Sequence, residues 1–278
     1  MKIKHKVKSG DGAIKYILET ADCLHFECIY MPHTQDNAVV LCLSCQIGCV
    51  NKCTHCATGK IDYVRDLSGE EICEEVATML TDNHVQDKLV AVLFMGMGEP
   101  FLNYDNVLHG IDLFEEEFNI TDNNVTISTV GIVHRIREFA DLKRDIRLAV
   151  SLHATTDAER SSIVPMNKVF NLSSILDAIE YYVNVTHKKV LLQYTLIGGV
   201  NDSDDACSRL ILLAKKMFCE VRIIPFNPSP SITFSETTEE RVMYFCRQLK
   251  ENGVDYVLSR SRGIDVSGGC GQLYLCEN

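Results

Sequence analysis

The sequence of 278 residues lacks a long hydrophobic run, a signal peptide and any excess of positive charge. No apolar run approaches the ~20 residues that cross a bilayer. The first eight residues carry charges with no apolar core behind them, so they do not form a signal peptide. We therefore expect a cytoplasmic protein with no membrane partner.

Internal repeats, low-complexity tracts and proline- or serine-rich linkers are also missing, which favours one main domain. We expect this domain over residues 38–278, preceded by a short basic extension, 1–37, that forms a small hairpin or cap. The formal net charge of −11 argues against a broad, nonspecific nucleic-acid surface. Hydrophobic residues at 46% and charged residues at 23% exclude a mostly disordered chain.

Cysteine is abundant, with 13 residues. An odd number excludes a fully paired secreted disulfide scaffold, and a chain of this length does not need one. In a reducing compartment, cysteine enrichment points to metal binding or thiol chemistry.

Strand-like and helix-like segments alternate along the chain. Apolar runs predict strands at Ala38–Leu43, Leu89–Met95, Val125–Val130, Ile146–Leu152, Val190–Ile197 and Val221–Phe226, with a weaker one at Val254–Leu258. Helical patterns lie at Ser68–Leu80, Tyr104–Phe118, Val133–Leu142, Leu172–Val185, Asp204–Phe218 and Glu239–Lys250. Six strand–helix units predict a parallel sheet covered by helices. A partial (β/α)6 barrel and an open doubly wound sheet both fit, since eight units would close a full barrel.

The sharpest motif begins at the end of the first of these strands. Cys49, Cys53 and Cys56 have the spacing C-x3-C-x2-C, and three nearby thiolates suit a soft metal or an iron–sulfur cluster. Three fixed ligands leave one cluster iron open for a substrate. The alternative is a zinc knuckle that takes His55 or Cys45 as its fourth ligand.

Polar groups also end four later strands, where parallel strands place a common mouth. They are Gly98 and Glu99, Ser128, Ser151 and His153, and Asn227. Near the C-terminus, Cys270 is flanked by Gly269 and Gly271, which leave its thiol sterically open. Its place just past the last strand predicts a return over the mouth.

These motifs together resemble the RlmN/Cfr class of radical S-adenosylmethionine (radical SAM) methylases. The stretches that carry the resemblance are LCLSCQIGCVNKCTHCATGK, FMGMGEPFLN, VTISTVGIV, AVSLHATTDAERSSIVPMNK, IIPFNPSP and RGIDVSGGCGQL. The resemblance implies an α/β fold, a radical SAM partial (β/α)6 barrel with parallel strands. It also implies a [4Fe–4S] cluster and SAM as cofactors.

Residue roles follow from the same resemblance. Cys49, Cys53 and Cys56 would hold the cluster, and SAM would be bound by Gly98, Glu99, Ser128, Ser151, His153 and Asn227. Cys270 resembles the cysteine that is methylated, and Cys42 resembles the second catalytic cysteine. Glu27 matches the family's candidate general base.

The implied reaction is methylation of an sp² carbon, C2 or C8, of adenosine in ribosomal or transfer RNA through an S-methylcysteine. The electron donor would be a flavodoxin or ferredoxin, and a monomer is the default. Alternatives are the same mechanism on a small nucleotide or biosynthetic intermediate, another radical SAM reaction, or a cysteine-rich metal-binding module. Only 41 residues precede Cys42, so we expect a short member without the family's N-terminal accessory domain, and the acidic charge conflicts with an RNA substrate.

Overall fold

The computed structural model describes residues 1–33, 38–85 and 89–275. Residues 34–37, at the end of the predicted extension 1–37, lie outside the described residues. So do residues 276–278, at the end of the predicted domain 38–278. The strands are β1 (Lys2–Lys8), β2 (Ile14–Glu19), β3 (His25–Pro32), β4 (Ala38–Leu43), β5 (Gln46–Ile47), β6 (Arg65–Asp66), β7 (Leu89–Phe94), β8 (Val125–Thr129), β9 (Arg147–Ser151), β10 (Val190–Gly198), β11 (Cys219–Pro225), β12 (Ser235–Glu236) and β13 (Tyr256–Leu258). The helices are α1 (Gly69–Asp82), α2 (Tyr104–Phe118), α3 (Val133–Leu142), α4 (Asp157–Ile163), α5 (Leu172–Thr186), α6 (Asp204–Lys216) and α7 (Glu239–Glu251).

One large sheet organises the molecule. Its order is β1-β2-β3-β4-β7-β8-β9-β10-β11-β13, with β12 paired to β10. Every neighbouring pair from β4 to β13 along this order is parallel. Within the described residues no ladder joins β1 to β13, so the sheet is open there. The predicted α/β class with a largely parallel sheet is confirmed.

The longest parallel strand, β10, is largely apolar on both faces. In β10, eight of nine residues are buried, as expected for a strand with a helical layer on one side and the inside of the curved sheet on the other. Helices α1 and α2, and α3 and α5, pack side by side. Aromatic rings of Phe114, Phe139, Tyr182 and Phe245 fill the space between helices and strands.

Side-chain caps fix where the helices begin. A capping box starts α1: the Ser68 hydroxyl accepts the Glu71 N–H at 3.2 Å, and the Glu71 carboxylate accepts the Ser68 N–H at 2.9 Å. The other capping side chains belong to Thr156, Asn171, Ser203 and Thr238. Beyond α7, Gly253 takes a φ of +69° and ends the helical path.

The N-terminal residues form three antiparallel strands, β1 to β3, that continue the same sheet through the β3–β4 pair. The expected hairpin or cap is therefore three strands in register with the main sheet. The short elements β5, β6, α4 and β12 were not predicted. No helix in the described residues is long and apolar enough to cross a membrane.

Candidate active site

A cavity of about 360 Å³ opens at the carboxyl ends of the parallel strands. It brings together ten of the twelve site residues predicted from the sequence, and these are Cys42, Cys49, Cys53, Cys56, Gly98, Glu99, Ser128, Ser151, His153 and Cys270. Asn227 and Glu27 do not line it.

Three of these cysteines lie on the loop between β5 and β6, on one wall of the cavity. The tight path of the loop requires glycine at Gly48, because φ is +78° and a Cβ there would lie 2.1 Å from the Asp62 carbonyl oxygen. The Cys56 N–H donates to the Cys53 carbonyl at 3.3 Å, which turns both side chains toward the cavity.

The three thiols suit an iron–sulfur cluster better than a single metal ion. Within the described ranges, no group of three or more His, Cys, Asp or Glu side chains converges as ligands of one ion do. A cubane cluster attaches each thiolate to a different iron, so its ligands do not need to meet at one point. Burial raises the pKa of Cys49 to about 12 and that of Cys53 well above its usual value. A bound cationic cluster would supply the charge that holds such groups as thiolates.

The turn that follows β7 contains glycines where it packs closely against the backbone at the end of β4. A Cβ at Gly96 would lie 2.6 Å from the Leu43 carbonyl oxygen, and Gly98 has a φ of +104°. This turn directs Glu99 inward, where its carboxylate accepts the Phe101 N–H at 3.0 Å and the Val130 N–H at 2.8 Å. The Asn51 amide donates to the same carboxylate at 3.3 Å and so ties the cysteine loop to this strand end.

Two predicted serines share one acceptor on the inner face of the sheet. The Gln193 Oε1 accepts from Ser128 at 3.0 Å and from Ser151 at 3.2 Å. Its Nε2 contacts the Met95 sulfur at 3.3 Å. Gln193 is a site residue that was not predicted from the sequence; its signal is a polar side chain inside an otherwise apolar strand.

His153 lies two residues beyond β9 in a left-handed conformation, with a φ of +56°. Its Nδ1 accepts the Thr195 N–H at 3.1 Å, so the ring proton is on Nε2. The His55 ring lies edge-on at 4.8 Å. Burial lowers the pKa of His153 well below its usual value and that of His55 to about 4. Both rings are therefore neutral near pH 7.

Arg160 is a second missed residue, since a fully buried arginine is not expected in the short helix α4. Its guanidinium donates to the carbonyls of Val130, Ser151 and Leu152, which end β8 and β9. Arg160 thus fixes two strand ends that carry cavity residues.

The two predicted reactive cysteines face the same cavity from opposite ends of the chain. Cys42 lies on β4, and the Cys270 loop returns over the mouth as predicted. The Ala57 N–H donates to the Gly271 carbonyl at 2.7 Å, and the Thr58 hydroxyl donates to the Leu273 carbonyl at 2.8 Å. The Cys270 loop is therefore fastened to the cysteine loop.

Asn227 contacts this terminal loop rather than the cavity. Its Nδ2 donates to the Cys270 carbonyl at 2.9 Å and to the Ser261 hydroxyl at 2.7 Å. Glu27 is fully buried under the same loop. Its carboxylate lies 3.1 Å from the Lys15 ammonium and accepts the Tyr274 N–H at 2.8 Å.

Comparison with known proteins agrees with this arrangement. The profile of the Radical SAM superfamily matches residues 43–211. A probable dual-specificity RNA methyltransferase RlmN from Lachnospira eligens is 36% identical over 267 residues, covering 95% of this chain and 75% of the relative. Its counterpart from a Thermotoga species is 37% identical over 272 residues, covering 97% and 78%.

The fold is also similar to those of solved structures. A radical SAM methyltransferase from Sphaerobacter thermophilus superposes with a TM-score of 0.93 at 36% identity, over 98% of this chain and 80% of that one. SuiB from Streptococcus suis, solved with S-adenosylmethionine, shares the fold alone, with a TM-score of 0.58 and 12% identity over 82% of this chain and 53% of that one. The chain therefore belongs to the RlmN/Cfr family of radical SAM methyltransferases, enzymes that use a [4Fe–4S] cluster and SAM.

Proposed function

We propose that this enzyme methylates an sp² carbon, C2 or C8, of adenosine in RNA through a methylated Cys270. The observation that carries the proposal is the meeting of Cys42 and Cys270 in one cavity with the three cysteines of the C-x3-C-x2-C loop. The relatives named above as RNA methyltransferases support RNA as the substrate class.

Cys49, Cys53 and Cys56 would hold the cluster. Glu99, Ser128, Ser151 and the Nε2–H of His153 offer hydrogen-bond partners to the polar groups of SAM, while Gly98 lets the backbone approach. Asn227 would act by holding the Cys270 loop. When bound, the two cofactors supply the methyl group and the radical that activates it.

The cysteines perform complementary tasks. An adenine ring carbon is a poor nucleophile, whereas a Cys270 thiolate is a good one and can carry the methyl group as a thioether. Once that carbon is joined to the base, the Cys42 thiolate attacks the Cys270 sulfur. The sulfur–carbon bond breaks with its electron pair going to the departing carbon, which takes up a proton to become the methyl group. The methylated base leaves, and a disulfide remains that a reductant must return to two thiols. All twelve cysteines of the described residues are free in this structure.

The Cys42→Ala variant tests this reaction, because without Cys42 the substrate stays joined to Cys270. We expect a covalent adduct in intact-mass spectra after expression, and no adduct in Cys42→Ala/Cys270→Ala. Cys23→Ser, at an exposed cysteine, is the matched control and should show none. Absence of an adduct in Cys42→Ala would overturn the proposed mechanism.

Nuclease digestion of the adduct identifies its substrate. An RNA adduct shrinks to the mass of a nucleotide, and the modified base then reports C2 or C8. The net charge of −11 favours the second candidate, a small nucleotide or biosynthetic intermediate methylated by the same cysteines. An adduct whose mass nuclease leaves unchanged would establish that candidate instead of RNA.

A further inference from the structure

Gln193 lies in the middle of β10 with 4% of its surface exposed, and it lines the cavity. Parallel pairing places it directly across from Ser151 in β9. Its backbone carbonyl accepts the N–H groups of Leu152 and His153, at 3.0 and 3.1 Å. These bonds do not involve the side chain, so a substitution of Gln193 leaves them in place.

The Met95 sulfur fixes which way the Gln193 amide faces. A thioether sulfur accepts hydrogen bonds weakly and has no proton to donate. The amide nitrogen is therefore the atom that faces it, and Nε2 lies 3.3 Å from the sulfur. Arg222, in β11, also contacts this sulfur, through Nη1 at 3.8 Å. The amide oxygen Oε1 is consequently turned toward the two serines of the cavity.

Ser128 and Ser151 both give their hydroxyl proton to this oxygen. A serine hydroxyl has one proton and two acceptor lone pairs, whereas an amide oxygen only accepts. The bonds of 3.0 and 3.2 Å to Gln193 Oε1 therefore use both protons. The two serine oxygens lie 3.3 Å apart and keep only lone pairs for the cavity. A ligand that contacts this pair must supply donors.

A vicinal ribose diol has the donors that the serine pair requires. Its two hydroxyl groups stand on neighbouring ring carbons, and each carries a proton. A phosphate or carboxylate offers acceptors, and an ammonium is held more strongly by the buried carboxylate of Glu99 than by neutral hydroxyls. Inside an RNA chain the 3′ oxygen is esterified, so an internal nucleotide offers only its 2′ hydroxyl. SAM and a free nucleotide offer both hydroxyls.

We propose that Gln193 is a positioning residue of this site: by taking both serine protons, it makes Ser128 and Ser151 acceptors for a vicinal ribose diol. The inference rests on the proposed function, in which the cavity receives SAM and a nucleotide substrate. Gln193 acts through the two hydroxyls. A ligand that lacks one ribose hydroxyl leaves a serine acceptor unpaired, and this penalty disappears when the serine protons are free to turn into the cavity.

Equilibrium binding of SAM and of its 2′-deoxy and 3′-deoxy analogues tests the proposal. Isothermal titration calorimetry uses the cluster-loaded enzyme in a Cys270→Ala background without a reductant, so that the cofactor neither loses its methyl group nor is cleaved. With Gln193 in place, we expect each deoxy analogue to bind about tenfold more weakly than SAM, because a hydrogen bond is lost and a shielded acceptor stays unpaired.

Two substitutions separate positioning from a structural role. Gln193→Met has a similar shape but no amide oxygen, so SAM should bind about fivefold more weakly and its advantage over the analogues should fall to about twofold. Gln193→Glu keeps an acceptor for both serines, with the Arg222 guanidinium near the new charge, and should retain the preference. A merely structural loss would weaken SAM and its analogues by the same factor.

Gln248→Met is the matched control, because it makes the same substitution in α7, where the side chain donates to Glu251 at 2.9 Å. It should change neither affinity nor preference. A full preference in folded Gln193→Met would overturn the proposal. If that variant does not fold, Ser128→Ala and Ser151→Ala replace it: each should lose the preference for a ribose hydroxyl, and a full preference in both has the same meaning.

A parallel series identifies the source of the diol. It compares adenosine 5′-monophosphate with its 2′-deoxy and 3′-deoxy forms. A preference among the SAM ligands assigns the diol to the cofactor, and one among the nucleotides alone assigns it to the substrate. Absence of a preference in both series would overturn the proposal. Binding does not require Cys42, whereas failure of the proposed function appears as a missing Cys42→Ala adduct, so the two failures are distinguishable.

Discussion

Glu27 and Lys15 form an ion pair that is almost completely shielded from water. Removal of one member of such a pair leaves a buried, unpaired charge, which typically costs about 3–5 kcal/mol. We therefore expect Glu27→Gln to lower the free energy of unfolding by about that amount, measured by urea titration. The apolar pair Lys15→Met/Glu27→Leu should recover much of the loss.

The same variant tests the prediction that Glu27 is the general base. The carboxylate is occupied by Lys15 and by the Tyr274 N–H, and it lies outside the cavity lining. A role in positioning the terminal loop predicts that Lys15→Met/Glu27→Leu retains measurable turnover. Complete loss of turnover in a stable double variant would instead favour proton removal by Glu27.

His55 and His153 predict how stability depends on pH. In the unfolded chain histidine titrates near pH 6.5, whereas burial lowers the pKa of His55 to about 4 and that of His153 well below its usual value. Below pH 6.5 the unfolded state therefore binds more protons, and the free energy of unfolding falls as the pH decreases. We expect a loss of roughly 2 kcal/mol between about pH 6.5 and 5.5.

Urea midpoints across this range provide the measurement. His55→Asn, which keeps an amide opposite the Ile163 carbonyl, should remove about half of the pH dependence. The exposed His187, replaced by Asn, should leave it intact. A pH-independent midpoint in the wild-type enzyme would contradict the buried, neutral state of both rings.

At the scale of elements, the strands that the sequence predicted are those that carry apolar runs rich in β-branched residues. Strands β2 and β3 were not predicted individually, because their buried faces carry the charged residues Lys15 and Glu27. The sequence alone does not show that these two residues form an ion pair. The seven-residue helix α4 was missed because it buries Arg160 instead of an apolar stripe.

The residues of the candidate site also fall into two groups, those that the sequence predicted and those that it did not. Residues at strand ends were predicted, because the carboxyl ends of parallel strands meet at one edge. Gln193 and Arg222 lie within strands rather than at their ends, so the pattern of polar strand ends does not include them. Among the predicted polar residues, Asn227 faces the terminal loop because that loop covers the end of β11.

The turn between β1 and β2 fastens the segment that leads to Cys270. Asp265 accepts from the Ser9 hydroxyl and from the Gly10 N–H, and the Gly263 N–H donates to Asp11 at 2.9 Å. Asp265→Ala removes two of these bonds at an exposed site, where water replaces them, so we expect only a small loss of stability. The larger effect should be faster amide exchange over residues 262–271 and slower turnover.

Hydrogen exchange followed by mass spectrometry checks this prediction peptide by peptide. Asp255→Ala, which removes a surface partner of Lys189, is the control and should leave exchange over residues 262–271 unchanged. Unchanged protection of that segment in Asp265→Ala would show that the contacts with residues 57, 58 and 227 hold the loop without the N-terminal turn.

For the whole molecule, the net charge of −11 limits how many RNA phosphates the protein can neutralise. The cavity offers three arginines, so at most three phosphates are neutralised there. The salt slope of single-stranded RNA binding should then be no steeper than about −2, which corresponds to a loss of about 20-fold in affinity between 50 and 200 mM salt. Fluorescence anisotropy with a labelled single-stranded RNA measures this slope, and Arg260→Met should make it shallower. A 1,000-fold loss over the same range would require a basic surface elsewhere, and would show that the cavity mouth is not what holds the RNA.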